Sequence, residues 1–460
     1  MHRTALLIVA AVLLPACAPA RPGTSAADAL PSAPSAAGGS RARPVANPVA
    51  PPDVFQRAIA RGTRTATGAP GARYWQQWAR YAISARLIVE EKRLEGTTSI
   101  VYFNHSPDSL PVLWLELAQN YHAAGGERIE QAEVTGGMRL RGVAVNGQRA
   151  DTASTGVGYA VDGTRMAIRP PAAVQPGDSA RLTIEWSFVI PQAGASGRMG
   201  WSRGDLFYLA YWYPRMAVYD DVVGWQTDPF LGRSEFYHGF GSYTYTVEVP
   251  EGWLVMGTGT LENAAHTLSD SALARMRRAE GSDSVVAVVT PGDLESNVTR
   301  RGRGGRLVWT FRADSVRDVA FSVTRRSLWD ATRTPVGDRN GDGRADHARV
   351  DAIYRESAPR WRNVARYARH AIDFLSRYTG FSYPWPHMTA VEGADIIVGG
   401  MEYPMMTLIG GYNQQGDSAL YYVTAHELAH MWIPMSLSTD ERRYSWIDEG
   451  FTTFHENQAR

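Results

Sequence analysis

The chain has 460 residues, of which 44% are hydrophobic and 10% aromatic, so it is long enough to bury more than one core. Its formal net charge of +1 leaves no electrostatic case for a nucleic acid or another polyanion as partner. A single cysteine excludes a disulfide within the chain.

The first twenty residues have the pattern of an export signal. A short basic start precedes an apolar run over residues 4–14, which is too short to span a bilayer. Cys17 ends a four-residue segment that resembles a bacterial lipoprotein signal, whereas cleavage after Ala18 or Ala20 is the alternative. We therefore expect an exported protein of the bacterial cell envelope, anchored in the membrane through Cys17 and facing the periplasm or the cell exterior.

The next segment, residues 21–70, is rich in alanine, proline, serine and glycine. Because it contains few large apolar side chains that could support a core, its composition predicts a disordered tether. Such a tether would separate a lipid anchor from the folded part of the protein.

Residues 71–335 have the pattern of a β-rich domain. The segments 81–87, 98–103 and 243–249 alternate or are rich in β-branched and aromatic residues, and turn-forming clusters separate such runs. Aromatic residues concentrate between Tyr211 and Tyr237, which is compatible with a sugar-binding or peptide-binding surface. Packing within a core or between domains is the more common role of such residues, and we favour it here.

A polar, glycine-rich segment follows at residues 338–346. Asp338, Asn340 and Asp342 place oxygen atoms at alternate positions, as in the first half of a calcium-binding loop. Arg349, however, stands where such a loop would have a bidentate glutamate. A hairpin that joins two domains is the alternative interpretation.

Residues 336–460 are predicted to form the first part of a second domain. Apolar spacing predicts a helix over Trp361–Tyr378, which Gly380 ends. Strands are expected at 389–391 and 395–398, followed by a glycine-containing motif at 399–404. The apolar run 405–409 could offer a strand edge to a peptide backbone.

The string His426-Glu427-Leu428-Ala429-His430 carries the clearest chemistry. A helix predicted over Asp417–Trp432, with Asp417 or Ser418 as its cap, would place both imidazoles on one face, where they can bind one metal ion. Glu427 would lie beside that ion as a general base. Three protein ligands leave a tetrahedral ion one open position, which is typical of a catalytic zinc site.

Glu449 is the predicted third ligand. It follows His430 after eighteen intervening residues and lies in the first turn of another predicted helix. Ser445 and Asp448 have the spacing of a capping box, in which Ser445 would cap the helix and Asp448 would reach back to its start. The sequence therefore predicts that two helices bring the three ligands together.

The motifs together resemble the aminopeptidase N family of zinc metallopeptidases. Residues 399–403 are similar to the family's Gly-x-Met-Glu-Asn signature, and the spacing from His426 to Glu449 matches its pattern of two histidines, eighteen residues and a glutamate. The segment Trp446–Phe451 is similar to the family's sequence around the third ligand. Tyr403 departs from the signature, because the family usually has asparagine there.

The resemblance implies a multidomain α+β fold over residues 74–460, with a β-rich, saddle-like amino-terminal domain and a thermolysin-like zinc-peptidase domain. It assigns one zinc ion to His426, His430 and Glu449, with Glu427 as the catalytic base. It also assigns Glu402, flanked by Gly399, Gly400 and Met401, to binding the free amino group of a peptide substrate. The expected activity is removal of amino-terminal residues from peptides.

The same resemblance indicates what else to expect. The family supplies a tyrosine hydroxyl to the oxyanion from well beyond its third ligand, so we expect this sequence to be truncated on its carboxy-terminal side and weakly active or inactive by itself. A zinc endopeptidase, or a zinc-binding protein without turnover on the same scaffold, is the alternative. Side-chain preference and oligomeric state do not follow from the sequence.

Overall fold

The computed structural model describes residues 50–152, 156–233, 235–296, 298–393 and 395–460. The predicted export signal, with Cys17, and residues 21–49 of the predicted tether lie outside this range. Residues 51–460 form one compact unit. Within the described ranges, no helix has the length and apolar character needed to cross a membrane.

The helices are α1 (Asp53–Arg61), α2 (Ala264–Thr267), α3 (Asp270–Glu280), α4 (Val364–Thr379), α5 (Asp417–Ala429) and α6 (Glu441–Ala459). The strands are β1 (Trp78–Ile88), β2 (Arg93–Phe103), β3 (Leu113–Glu116), β4 (Arg139–Val145), β5 (Gln148–Arg149), β6 (Gly158–Asp162), β7 (Arg165–Arg169), β8 (Ser179–Val189), β9 (Ala193–Gly194), β10 (Met199–Ser202), β11 (Leu206–Leu209), β12 (Arg215–Met216), β13 (Tyr219–Asp220), β14 (Gly224–Trp225), β15 (Gly241–Pro250), β16 (Leu254–Gly257), β17 (Thr260–Leu261), β18 (Val286–Val289), β19 (Arg306–Val316), β20 (Phe321–Thr324), β21 (Leu328–Gly337), β22 (Asp346–Tyr354), β23 (His387–Glu392), β24 (Gly400–Tyr403) and β25 (Met406–Ile409).

Helix α1 corrects the predicted tether, which was expected to extend to residue 70. Val54, Phe55, Ala58 and Ile59 have helical apolar spacing, and Ala58 is fully buried. Just after the helix, Arg64 pairs with Asp221 of the β-rich part at 2.7 Å. The average composition of residues 21–70 concealed this short amphipathic run.

The β-rich part is built around an eight-stranded sheet in the order β17-β19-β15-β1-β2-β8-β4-β5. Alternate residues of β1 and β15 are buried, as the sequence pattern predicts for strands with one face on a core. Smaller sheets of five strands (β16-β20-β11-β10-β9), four strands (β12-β3-β7-β6) and two strands (β13-β14) complete this part. The predicted α+β class, with a β-rich amino-terminal part, is confirmed.

The aromatic side chains near Tyr211 pack inside the protein. Tyr211, Trp212 and Tyr213 are at most 2% exposed, and Phe236 is 4% exposed. The ring of Trp212 packs edge-on against Phe321 at 5.0 Å between centroids. These residues therefore pack in the core, as we favoured, and do not form a sugar-binding or peptide-binding surface.

A six-stranded mixed sheet, in the order β18-β21-β22-β23-β25-β24, packs against the helices α3, α4 and α5, and α6 packs on α4 and α5. The predicted boundary at residues 335 and 336 is wrong, because it cuts the hairpin of β21 and β22 and assigns β18 to the wrong side. Residues 338–345 are the turn of this hairpin and do not join two domains. Hydrophobic alternation marks strands but does not show which sheet each strand joins.

Two predicted strand features differ from the structure. Residues 395–398 form a turn, in which the Ile396 amide donates to the Gly393 carbonyl at 2.6 Å. Strand β25, predicted as a free edge, lies between β23 and β24. The edge that could accept a peptide backbone is therefore β24, which carries the glycine-containing motif.

His387, at the start of β23, is buried, and its Nε2 donates to the Gly259 carbonyl at 2.8 Å. Burial, together with nearby Arg349, lowers the pKa of His387 to about 4. The unfolded chain has the ordinary histidine pKa of about 6.5. Below that pH, unfolding takes up a proton, so His387 makes the folded state progressively less stable as the pH falls towards 4.

We predict that His387→Gln lowers the free energy of unfolding at neutral pH. The variant should not show the further decrease below pH 6.5 that protonation of His387 causes in the wild type. Each pH unit below 6.5 changes the contribution of His387 by about 1.4 kcal/mol. Urea unfolding at about pH 8 and about pH 5 should therefore show the stability advantage of the wild type shrinking by about 2 kcal/mol. An advantage that stays constant with pH would contradict the assignment.

Candidate metal centre

Helix α5 carries His426, and His430 caps its carboxy-terminal end one turn later. The Nε2 atoms of His426 and His430 lie 3.2 Å from each other. The helix begins at Asp417 after Gly416, without a side-chain cap, and ends at Ala429. The predicted caps, Asp417 and Ser418, are thus not used, but the predicted helix and its histidine face are present.

Helix α6 brings Glu449 to the same point. Its Oε2 atom lies 3.2 Å from the Nε2 of His426, and the three ligand atoms of His426, His430 and Glu449 all lie within 4.8 Å of one another. Ligands about 2.0–2.1 Å from a tetrahedral zinc ion lie roughly 3.3 Å apart. The three side chains therefore fit a single ion of that size.

The other nitrogen of each imidazole contacts a carboxylate of α6. His430 Nδ1 lies 2.7 Å from Asp448 Oδ1, and His426 Nδ1 lies 3.2 Å from Glu456 Oε2. A proton held on each Nδ1 leaves both Nε2 lone pairs available to a metal ion. This donor set is the arrangement expected of histidine ligands.

Asp448 therefore does not serve the predicted capping box. The helix begins at Glu441, where the side chain of Asp440 accepts from the Arg443 amide at 3.3 Å. The backbone at Tyr444 is non-helical (φ −132°, ψ 46°), so a bend separates this first turn from the part that carries Glu449. The spacing of Ser445 and Asp448 predicted a capping box. In the structure, Asp448 instead points to His430, which it contacts across the two helices.

The charges of the site depend on one another. Burial opposes protonation of His426, but its hydrogen bonds with Glu449 and Glu456 outweigh burial and raise its pKa to about 10. Burial also raises the pKa of Glu427 to about 7, against the effect of the two histidines. A base with a pKa near neutrality is suited to accept and return protons.

Strand β24 passes directly over Glu427. A Cβ atom on Gly400 would lie 2.3 Å from Glu427 Oε1, so the approach requires glycine. Glu427 is 3% exposed, and its Oε2 has no hydrogen-bond partner within the described ranges. The structure thus brings the predicted substrate motif and the predicted base into contact.

Glu402, on the same strand, joins the buried cluster. It is 4% exposed, and its Oε1 lies 3.8 Å from His430 Nδ1 and accepts no hydrogen bond from the residues that the structure describes. Burial and the neighbouring Glu235 and Asp448 raise its pKa well above the ordinary value. A cationic ligand would stabilise the ionised form of this carboxyl group.

The other motif residues have different environments. Met401 is buried, and Gly399 accepts a hydrogen bond from the Gly410 amide at 2.9 Å. Tyr403 is 2% exposed, and its hydroxyl donates to the Arg198 carbonyl at 2.6 Å. A side chain so enclosed does not reach a substrate, so the departure from asparagine affects packing.

Three polar residues of α6 were missed as functional candidates. Asp448, Thr452 and Glu456 lie on one buried face, and Thr452 Oγ1 lies 3.1 Å from His430 Nδ1. Their spacing of four residues, directly around the predicted third ligand, was the available signal. The half-buried pair of Arg198 and Glu235, joined at 3.1 Å, had no such signal because both residues lie in loops that are far apart from α6 in the sequence.

The hairpin turn at Asp338 is separate from this centre. The Asp338 carboxylate accepts backbone amides, including those of Gly341 at 2.7 Å and Gly343 at 2.8 Å. These bonds, which lower the pKa of Asp338, are sufficient to explain the turn. Calcium at Asp338, Asn340 and Asp342 stays a prediction.

Comparison with known proteins identifies the family of the carboxy-terminal segment. Residues 365–459 match the family described as the peptidase family M1 domain. This segment is therefore similar to an M1 peptidase domain. It includes β24, both helices of the metal centre and every residue predicted to bind zinc or the substrate, so the resemblance to the aminopeptidase N family is confirmed.

Two curated proteins that are similar to parts of this chain are also named as aminopeptidases. An aminopeptidase N of Plutella xylostella is 29% identical over 119 residues, which are 22% of this chain and 12% of that protein. Leucine aminopeptidase 2 of Candida albicans is 33% identical over 79 residues, or 17% of this chain and 13% of that protein. The alignments thus span about an eighth of the length of these relatives.

Solved structures of an M1 zinc metallopeptidase from Deinococcus radiodurans are also similar. One has a TM-score of 0.48 and 16% identity, covering 84% of this chain and 72% of that chain. A mutant of that protein bound to a Tyr-Ser-Ala substrate has a TM-score of 0.49 and 14% identity, with the same coverage.

We predict that Asp448→Asn weakens metal binding about tenfold to a hundredfold, because an amide holds the His430 imidazole less well than a carboxylate. Glu456→Gln should have a smaller effect, since its contact with His426 is longer and Glu456 also pairs with Arg460. Zinc affinities measured by chelator competition would test this order. Equal affinities for both variants and the wild type would contradict it.

Proposed function

We propose that this chain carries the active centre of a zinc-dependent aminopeptidase, which removes amino-terminal residues from peptides. The supporting observation is the meeting of His426, His430 and Glu449 at spacings that fit one zinc ion. The match of residues 365–459 to the peptidase family M1 domain supports a peptidase, and two histidines with one glutamate are ligands that zinc accepts in catalytic sites.

His426, His430 and Glu449 would hold the ion, and bound zinc would supply Lewis-acid chemistry by lowering the pKa of water and polarising the scissile carbonyl. Asp448 and Glu456 hold the imidazoles in the orientation and tautomer that ligation requires. Glu427 accepts the proton of the attacking water and then donates it to the leaving amine.

Glu402 gives the proposed enzyme its preference for a free amino terminus. Its unpartnered carboxyl oxygen would accept hydrogen bonds from the substrate's ammonium group, and the charge pair would fix the peptide's register. Strand β24, at the sheet edge, would present its backbone to the peptide beside Glu427. An acetylated amino terminus lacks the charge that this arrangement requires.

We predict that the intact gene product hydrolyses a leucyl fluorogenic amide about a hundredfold or more faster than its acetylated counterpart, because the latter leaves Glu402 unpaired. A chelator should abolish turnover, and added zinc should restore it. Equal rates on the two substrates would instead support an endopeptidase. Turnover that persists in the presence of the chelator would refute the proposal that the activity depends on zinc.

We predict that Glu427→Gln lowers kcat by about 10²–10⁴-fold while the zinc content stays that of the wild type, because the amide keeps the shape but cannot accept a proton. His430→Ala is the matched comparison, since it should lose the metal together with the activity. Metal analysis and steady-state kinetics on both variants separate the two roles. An active Glu427→Gln protein would remove Glu427 as the base.

A further inference from the structure

The first turn of α6 is held by an arginine from the β-rich part. Arg317, directly after β19, places Nη2 2.6 Å from Glu441 Oε1, and the two side chains are 2% and 3% exposed. The other oxygen of Glu441 accepts the Phe236 amide at 3.1 Å. Glu441 is thus enclosed by donors that lie far from it in the sequence.

A neighbouring pair reinforces this attachment. Arg442 Nη2 lies 2.6 Å from Glu116 Oε1, and Arg442 Nη1 donates to the Asp228 carbonyl at 2.6 Å. The second oxygen of Glu116 lies 3.0 Å from Arg215 Nη2. Alternating charges therefore continue from the first turn of α6 into the β-rich part.

Arg317 also contacts the segment between the two ligand-bearing helices. Its Nη1 donates to the carbonyl of Pro434 at 2.9 Å, four residues after His430. One guanidinium group therefore contacts both the chain leaving α5 and the chain entering α6. Because its planar donors are fixed relative to one another, these contacts set the separation of the two segments.

The pair adjoins the acidic side of the metal centre. Carboxyl oxygens of Glu402, Glu441 and Asp448 all lie within 4.8 Å of one another. Without Arg317, Glu441 would be an uncompensated buried charge beside two other carboxyl groups. Repulsion among them would displace α6 from α5, and with it Asp448 from His430.

We propose that Arg317 is a positioning residue of the metal centre, which acts through Glu441 and the Pro434 carbonyl to hold α6 against α5. The inference rests on the proposed function, since it takes the centre to be a zinc site. Its consequence is that the β-rich part contributes to zinc affinity although none of the proposed ligands belongs to it.

The test compares zinc affinity with the stability of the metal-free protein. Arg317→Gln should weaken zinc binding about tenfold or more, and Arg317→Lys, which keeps the charge, should weaken it less. Arg355→Gln is the control, because it breaks a buried pair with Glu392 at 2.8 Å whose polar contacts lie outside α5 and α6. It should lower the stability of the metal-free protein but change the zinc affinity by less than about twofold.

If Arg317→Gln does not fold, Glu441→Ala replaces it, because alanine removes both oxygens through which Arg317 and the Phe236 amide hold the first turn of α6. Zinc affinity of the Arg317 or Glu441 variant equal to that of the wild type would overturn the inference, as would an equal loss in the Arg355 control. A wild-type protein that fails to bind zinc would instead refute the proposed function. Weaker binding only in the Arg317 and Glu441 variants supports the positioning role.

Discussion

The structure depends on a positive charge at the meeting point of α5 and α6. Two imidazole nitrogens lie 3.2 Å apart there, with Glu449 beside them and Glu427 and Glu402 buried nearby. Burial favours the neutral forms of Glu402 and Glu427, so these carboxyl groups are ionised together only if a cation compensates their charge. Protons on the histidines can supply that charge, as the raised pKa of His426 indicates, but a metal ion supplies two charges and releases those protons.

Helix α6 connects this centre to the rest of the protein at two places. Its first turn contacts the β-rich part through Glu441 and Arg442, and its buried face contacts the histidines through Asp448 and Glu456. The bend at Tyr444 lies between the two regions. The side-chain contacts on both sides of the bend therefore determine where the ligand-bearing turns lie.

Sequence predicted the parts of this site that depend on local geometry. Four residues along a helix place His426 beside His430 in any such helix, whereas Glu449 was predicted from its spacing and from a second helix whose packing against α5 only the fold shows. Asp448 was assigned to a cap because capping and tertiary contact use the same residue types, and only the fold distinguishes them. The domain boundary near residue 335 failed for a related reason, since the partners of β21 in its sheet lie far apart in the sequence.

Tyr403, which stands where the family signature has asparagine, and Glu402 have different roles on strand β24. Successive side chains of a strand point to opposite faces, so Glu402 and Tyr403 belong to different environments. The ring of Tyr403 packs against Tyr208 and Tyr211, and its hydroxyl binds the Arg198 carbonyl, which joins β24 to the β-rich part. An asparagine could not fill that aromatic space, whereas Glu402 on the other face keeps its place beside His430. Tyr403 in place of asparagine therefore changes the packing that supports β24. The carboxyl group that faces the metal centre, Glu402, is unaffected.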